Sequence, residues 1–243
     1  MTEELLIVAG EASADLHAAR ALAELRALRP GVRAFGVGGP RLRASADFEA
    51  IAPAEDISVM GLAEVLPRIP RILSILNQLA RAADARRPRA ALLVDLPDFN
   101  LRLAKKLKAL GIPVVYYVSP QVWAWRQGRA KKIARLVDRM LCILPFEPRY
   151  YEGTGLAARF VGHPFAEKPA PGPKEGYRAA LGLAAARTTI ALVPGSRPSE
   201  LRPFRQANGK RASFAGAGTG GIQGSRVLTD DQMTDRQPQA RPL

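Results

Sequence analysis

Cysteine is nearly absent: Cys142, inside the apolar run "MLCILPF", is the only one in 243 residues. A lone thiol excludes a disulfide framework and reads as a small buried hydrophobe. Histidine is almost as scarce, and neither His17 nor His163 sits in a His, Cys and carboxylate cluster with metal-ligand spacing. No metal and no cofactor are expected. No stretch approaches the ~18 uninterrupted apolar residues of a membrane span. The N-terminal "MTEELLIVAG" carries acid where a signal peptide carries base, which predicts a cytoplasmic location.

Acidic residues are also in short supply. Twenty-two Asp and Glu stand against 36 Lys and Arg, a net charge of +14. Such a balance favours polyanions: nucleic acid, phosphorylated substrates or an anionic membrane face. The basic residues are spread along helical patterns such as "RLAKKLK", with no zinc finger and no glycine-aromatic RNA signature, so nucleic acid is not the expected partner. A solvated arginine-rich surface accounts for most of them.

What is present is a regular alternation. Short apolar runs bounded by turn residues, at 4–10, 33–39, 90–97, 112–120, 139–145 and 158–164, read as strands. They are continuous rather than alternating, as strands covered on both faces are. Amphipathic helices are predicted near 14–28, 62–85, 100–110 and 126–136. The order predicts an α/β fold with a doubly wound, mostly parallel sheet, whose ligands gather beyond the carboxyl ends of the strands. Residues 1–165 are expected to form this first, Rossmann-like domain. Residues 166–204 hold a Pro/Gly-rich linker, a short helix, a strand at 188–193 and an apparent helix start, as if a second domain began there. From 205 to 243 the chain has six glycines and few large apolar side chains. Such a composition buries too little surface to repay its ordering entropy, which predicts a disordered tail. The abrupt change predicts a chain altered or cut short within its second domain.

Several polar groups fall at strand ends. "VAGEASAD" sets Gly10, Glu11, Ser13 and Asp15 at a strand-to-helix turn, where Ser13 or Asp15 would cap the helix and Glu11 would either cap it or face a cleft. His17, one turn on, reads as a packed or surface side chain. "VDLPDFN" supplies Asp95 and Asp98; Asp98 either takes a proton from an attacking hydroxyl or closes an Asx-turn. Trp123 and Trp125, at i and i+2, serve either as core filling or as an apolar platform for a sugar or acyl chain, with Arg126 beside them for an anion. The segment 65–79 is apolar over more than one face, with Arg68 and Arg71 interleaved. It is either a helix packed on the sheet or a surface for acyl chains or anionic lipid. "VPGSRPSE" has the make-up of either a phosphate loop or a plain helix cap.

In their order, "AGEASADLHAA", "GVGGPRL", "ISVMGLAEVLPRI", "VDLPDFNLRLAKKLK", "YYVSPQVWAWRQGRAKKI", "LPFEPRYYEG", "FVGHPFAE" and "LVPGSRPSEL" make the chain resemble the lipid-A-disaccharide synthases, glycosyltransferases of the two-domain GT-B type. The match covers nearly all of residues 4–204. Ala14 stands where that family usually has glycine. The resemblance implies transfer of 2,3-diacylglucosamine from UDP-2,3-diacylglucosamine to 2,3-diacylglucosamine 1-phosphate, with release of UDP, at an anionic inner-membrane surface. It implies Asp98 as general base with Glu11 as helper. Ser13, Asn100, Gln121, Trp123, Trp125, Arg126 and His163 would bind substrate, and Gly195, Ser196, Arg197 and Glu200 would hold the nucleotide. For this chain the expectation is weak or absent turnover, the alternative being a catalytically inactive lipid- or membrane-binding fragment. A dinucleotide-binding dehydrogenase is disfavoured, because neither "VAGEASAD" nor "GVGG" has the Gly-x-Gly-x-x-Gly spacing. No oligomeric state is assigned.

Overall fold

The computed structural model describes residues 3–58, 66–123, 128–166, 172–183, 190–192 and 226–228. The chain divides into two compact units, Met1–Lys168 and Pro169–Leu243.

The first unit runs β1 (Glu4–Ala9), α1 (Ala12–Leu28), β2 (Arg33–Gly38), α2 (Pro40–Arg43), β3 (Phe48–Pro53), α3 (Ile69–Arg86), β4 (Ala90–Val94), α4 (Pro97–Ala109), β5 (Val114–Tyr117), α5 (Arg129–Ala134), β6 (Arg139–Cys142) and β7 (Ala157–Phe160). The strands form one sheet in the order β3-β2-β1-β4-β5-β6-β7. Every pairing in it is parallel. This is the doubly wound α/β architecture expected from the alternation of strands and helices. The direction of winding reverses between β1 and β4, and such a switch point opens a crevice at the carboxyl ends of those strands.

The reason the strands read as continuous apolar runs is visible in β1. Leu6 and Val8 enter the core shared with α3 and α4, while Ile7 and Ala9 enter a second core under α1. Burying each larger aliphatic side chain contributes about 1.5–3 kcal/mol. Ala14 is enclosed in the second core, where its methyl group is buried.

Two elements escape the sequence reading. The edge strand β3 carries Ala50, Ala52 and Pro53 in place of a Val/Ile/Leu run, and an edge position tolerates its terminal proline. Helix α2 is a single turn opened by Pro40. Gly36 in β2 has φ of 144°, and a Cβ there would fall 2.0 Å from the carbonyl oxygen of Ile7. Only glycine permits that approach, and the β2–β3 register shifts just after it.

Helix α3 begins later than its sequence pattern, at Ile69, behind a short 3₁₀ turn at Leu66–Arg68. It buries Ile75, Leu76, Leu79 and Ala83, with Ile72 packed at the margin. Leu66, Ile69 and Leu73 remain exposed, at 64%, 39% and 42%. The expected stripe is therefore split: its second half packs on the sheet and its first half does not. Val65 lies outside the described residues.

In the second unit, α6 (Lys174–Ala180) and a two-stranded antiparallel pair, β8 (Ile190–Leu192) with β9 (Arg226–Leu228), are described. Three residues of the segment whose composition reads as disordered thus take strand geometry, which backbone pairing supplies without an apolar side-chain pattern. Residues 194–200 lie outside the described residues.

Candidate functional site

The cleft at the switch point is built on strained backbone. Asp95 and Leu96, between β4 and α4, have φ of 51° and 47°, and Val118, just after β5, has φ of 68°. Left-handed conformations in three non-glycine residues persist only where the surroundings fix them, and they cluster at functional sites. Here the fixing contacts are explicit. The Asp95 N–H donates to the Tyr117 carbonyl at 3.0 Å, and the Asp95 carbonyl accepts from the Tyr116 hydroxyl at 2.5 Å and from Asn100 Nδ2 at 2.7 Å. The same amide nitrogen reaches the Val94 carbonyl at 3.2 Å. Gly10 allows the close approach: a Cβ on it would lie 2.6 Å from Leu96 Cδ2.

The cleft of about 300 Å³ is lined by Asp95 and Pro97 from one corner, by Val118 to Val122 from the other, and by Arg129. Burial holds the Asp95 carboxyl above the usual carboxylate range, and the Glu11 carboxylate pushes the same way. Glu11 is half-buried and is the cap residue of α1, though its side chain makes no capping hydrogen bond. Asp98 sits in the first turn of α4, with its side chain 94% exposed and its Oδ1 3.3 Å from Arg129 Nη2.

The structure redistributes the sequence-derived roles. Asp98 lies on a helix that starts at Pro97, not in a free turn, because proline at the first helical position is already set for helical φ. Neither Ser13 nor Asp15 caps α1. Ser13 is exposed on the first turn. Asp15 is buried and turns to α2, where its carboxylate accepts from the N–H groups of Gly39 (2.8 Å), Arg41 (2.9 Å) and Leu42 (3.1 Å). A Cβ on Gly39 would lie 2.7 Å from the Asp15 carboxyl carbon, so glycine makes room for this cap. Asn100 is fully buried beneath the corner and its amide serves the backbone there. Gln121 is exposed on the cleft wall, and Trp123, at 36% exposure, lies one residue past that wall with its ring edge-to-face on Phe146 at 5.5 Å. His163 follows β7, two strands from β5, and its Nδ1 accepts from the Phe165 N–H at 3.2 Å. His17 packs its ring against Tyr117 at 6.1 Å. Trp125, Arg126, Gly195, Ser196, Arg197 and Glu200 lie outside the described residues.

Arg129 and Ser119 line the cleft without having been singled out from the sequence. Arg129 belongs to a basic run that reads as a solvated face, and Ser119 precedes a proline in a segment dominated by its tryptophans. The available signal was position: both lie beyond the carboxyl end of β5. Among the described residues no group of three or more His, Cys, Asp or Glu side chains gathers as a metal site.

The comparisons with known proteins bear on most of the chain. The family model described as LpxB, lipid-A-disaccharide synthetase, matches residues 5–211. The lipid-A-disaccharide synthase of Anaeromyxobacter sp. (strain K) is 80% identical over 202 residues, covering 83% of this chain and 52% of that protein. That of Myxococcus xanthus (strain DK1622) is 59% identical over 199 residues, covering 82% and 52%. That of Geobacter metallireducens is 44% identical over 200 residues, again covering 82% and 52%. The chain spans about half the length of the curated relatives it matches. With a strained, carboxylate-bearing cleft at the switch point of its sheet and a family match over most of its length, this chain belongs to the lipid-A-disaccharide synthase family.

Proposed function

We propose that the chain works in lipid A disaccharide synthesis as a glycosyltransferase. It would transfer 2,3-diacylglucosamine from UDP-2,3-diacylglucosamine to 2,3-diacylglucosamine 1-phosphate and release UDP. Residues 1–165 form the acceptor domain, and 166–204 begin the nucleotide-sugar domain. The observation that carries this reading is the meeting of Asp95, Asp98, Gln121 and Arg129 around one cleft at the carboxyl ends of β4 and β5.

In the proposed reaction the acceptor hydroxyl attacks the anomeric carbon of the donor as its proton passes to the Asp98 carboxylate. The bond from that carbon to the UDP oxygen breaks, and its electron pair leaves with UDP. An inverting displacement of this kind needs a base on one face and charge stabilisation on the other. Asp98 is exposed at the cleft mouth, where a hydroxyl reaches it. Glu11 assists from the β1 side. Arg129 orients Asp98 and offers a cation to the acceptor phosphate. Ser13, Gln121, Trp123, Trp125, Arg126 and His163 contact the sugars or acyl chains. Gly195, Ser196, Arg197 and Glu200 hold the nucleotide, with Arg197 on the departing phosphates. Asn100 acts beneath the site, through the corner it ties.

The enzyme acts at the cytoplasmic face of the inner membrane, as a peripheral protein on an anionic surface. The exposed Leu66, Ile69 and Leu73 beside Arg68 and Arg71 suit that setting. Among the described residues no helix is long and apolar enough to cross a membrane. The same ridge favours a second reading, a lipid-binding fragment without turnover.

The test is UDP release by the 243-residue chain given both lipid substrates, beside Asp98→Asn. Release that disappears in the variant supports the transferase. Equal release from both sinks the assignment of Asp98, and retention of lipid without UDP release favours the second reading.

A further inference from the structure

The segment 144–151, "LPFEPRYY", is among those that carry the family resemblance, yet the transfer chemistry leaves it without a role. It runs from the end of β6 into a 3₁₀ turn at Glu147–Tyr151, and that turn is tied down at both ends. At its start the buried Glu147 carboxylate accepts from the N–H groups of Ile143 (3.1 Å) and Leu144 (3.0 Å). At its finish the Tyr151 carbonyl accepts from the Thr154 N–H at 3.1 Å and from the Thr154 hydroxyl at 2.5 Å. Tyr151 is thus a side chain on a fixed backbone, 1% exposed.

Its hydroxyl reaches out of this segment, to 2.9 Å from Oγ of Ser119, 32 residues earlier. Ser119 Oγ also donates to the Pro120 carbonyl at 3.1 Å, and a hydroxyl has one proton, so Tyr151 donates and Ser119 accepts. Ser119 belongs to the cleft wall, with Pro120, Gln121 and Val122. The wall leaves β5 through Val118, whose φ of 68° needs support from its surroundings. Pro120 has no N–H to give, and the Val122 N–H turns back to the Pro120 carbonyl at 2.6 Å. That bond stays within the wall; the Tyr151 hydroxyl joins the wall to the protein behind it. A phenylalanine would fill the same space without bringing a polar group into the core, so the buried hydroxyl is explained by the group it holds.

We propose that Tyr151 is a positioning residue for the cleft: by holding Ser119 Oγ it sets the 119–122 wall, Gln121 included, against the sugar phosphate of a glycolipid. The ligand class rests on the acceptor-site reading given under Proposed function; the hold on the wall does not.

The experiment uses the 243-residue chain and three variants, Tyr151→Phe, Ser119→Ala and the two combined, which remove hydroxyls and leave the surrounding side chains in place. Amide hydrogen exchange is read by NMR at Val122 and along β4 and β6. The expected result for Tyr151→Phe is Val122 exchange about tenfold faster with the strand amides unchanged, and binding of micellar 2,3-diacylglucosamine 1-phosphate weakened about fivefold. Ser119→Ala should do at least as much, and the combined variant should be no worse than Ser119→Ala alone, because the tyrosine acts through the serine. Exchange that rises equally in the strands reports a general loss of stability and overturns the proposal. Unchanged Val122 exchange, undiminished binding in the variants, or affinity losses that multiply in the combined variant overturn it as well. Should Tyr151→Phe fail to fold, Ser119→Ala decides by the same exchange and binding readouts. If the parent itself binds no glycolipid while Val122 responds as expected, the acceptor-site reading fails and the hold on the wall stands.

Discussion

Arg129, the first residue of α5, brings Nη2 to 3.3 Å from Oδ1 of Asp98 in the first turn of α4. The pair closes the mouth of the cleft from two helices that follow neighbouring strands. In a full-length relative, Asp98→Asn should reduce transfer by at least about 10²-fold, the ordinary loss when a general base is removed. The fold should stay intact, because the side chain is almost fully exposed. Arg129→Ala should act differently, raising KM for the acceptor phosphate about tenfold with a smaller effect on kcat. Steady-state kinetics with circular dichroism on the same samples checks both, and an Asp98→Asn enzyme with normal kcat would refute the assignment.

Asp15 ties α1 to α2 through three N–H groups. Asp15→Ala should cost about 3 kcal/mol, since it strands buried donors, whereas Asp15→Asn keeps one acceptor oxygen and should cost about 1 kcal/mol. Urea midpoints measured at constant m-value test the order of the two variants.

The Asp95 carboxyl, raised by burial and by Glu11, makes the native state hold a proton more tightly than the unfolded chain does. Stability is therefore lost as pH climbs from the ordinary value of 3.8 through the raised native value, and the loss persists above it. Asp95→Asn should be more stable than the parent at pH 7, with that gain disappearing towards pH 3.5. Denaturation curves at the two pH values decide; an equal gain at both would remove the electrostatic explanation. The same variant should lose activity if the cleft uses this charge, a trade of stability for function.

Cys142 is buried on β6, and burial, with Glu147 nearby, pushes its thiol up to about 12. Native protein should resist iodoacetamide at pH 8, since a thiol of that pKa is only ~0.01% thiolate there. Labelling should appear in step with unfolding in urea, followed by mass spectrometry. Rapid modification of the native state would place this strand in a more open environment.

Gly36→Ala should be among the most destabilising single changes in the sheet. A methyl group 2.0 Å from the Ile7 carbonyl oxygen forces β1 and β2 apart, and a loss of at least about 3 kcal/mol follows. Thermal unfolding checks it; a variant within about 1 kcal/mol of the parent would show that the strands relax freely.

Six of the seven strands of the first unit and its longer helices were legible because their patterns are redundant. Each apolar run in β1, β2, β4, β5 and β6 repeats the same message along its length, and Gly, Pro or Asp ends it. The edge strand β3 was not, since three of its six residues are Ala or Pro and its pairing is supplied by β2. The site was half legible. Glu11, Asp98, Gln121 and Trp123 fall at strand ends, where a parallel sheet places its ligands. The same reasoning gave Asn100 a ligand role, and folding puts its Nδ2 on the Val94 and Asp95 carbonyls beneath the corner, with its buried Oδ1 left without a hydrogen-bond partner among the described residues.

By itself the sequence determined the layering of the first unit, its helix and strand order and its family, because periodicity and motif order are properties of neighbours along the chain. Only the tertiary structure decided which polar group serves which purpose. Asp15 caps a helix 24 residues away, Tyr116 and Asn100 hold the carbonyl of Asp95, and the Tyr151 hydroxyl reaches back to Ser119. A carboxylate or amide has the same inventory of donors and acceptors wherever it stands. Its role is fixed by the unpaired groups that folding brings within about 3 Å, and their distance along the chain carries no trace of that.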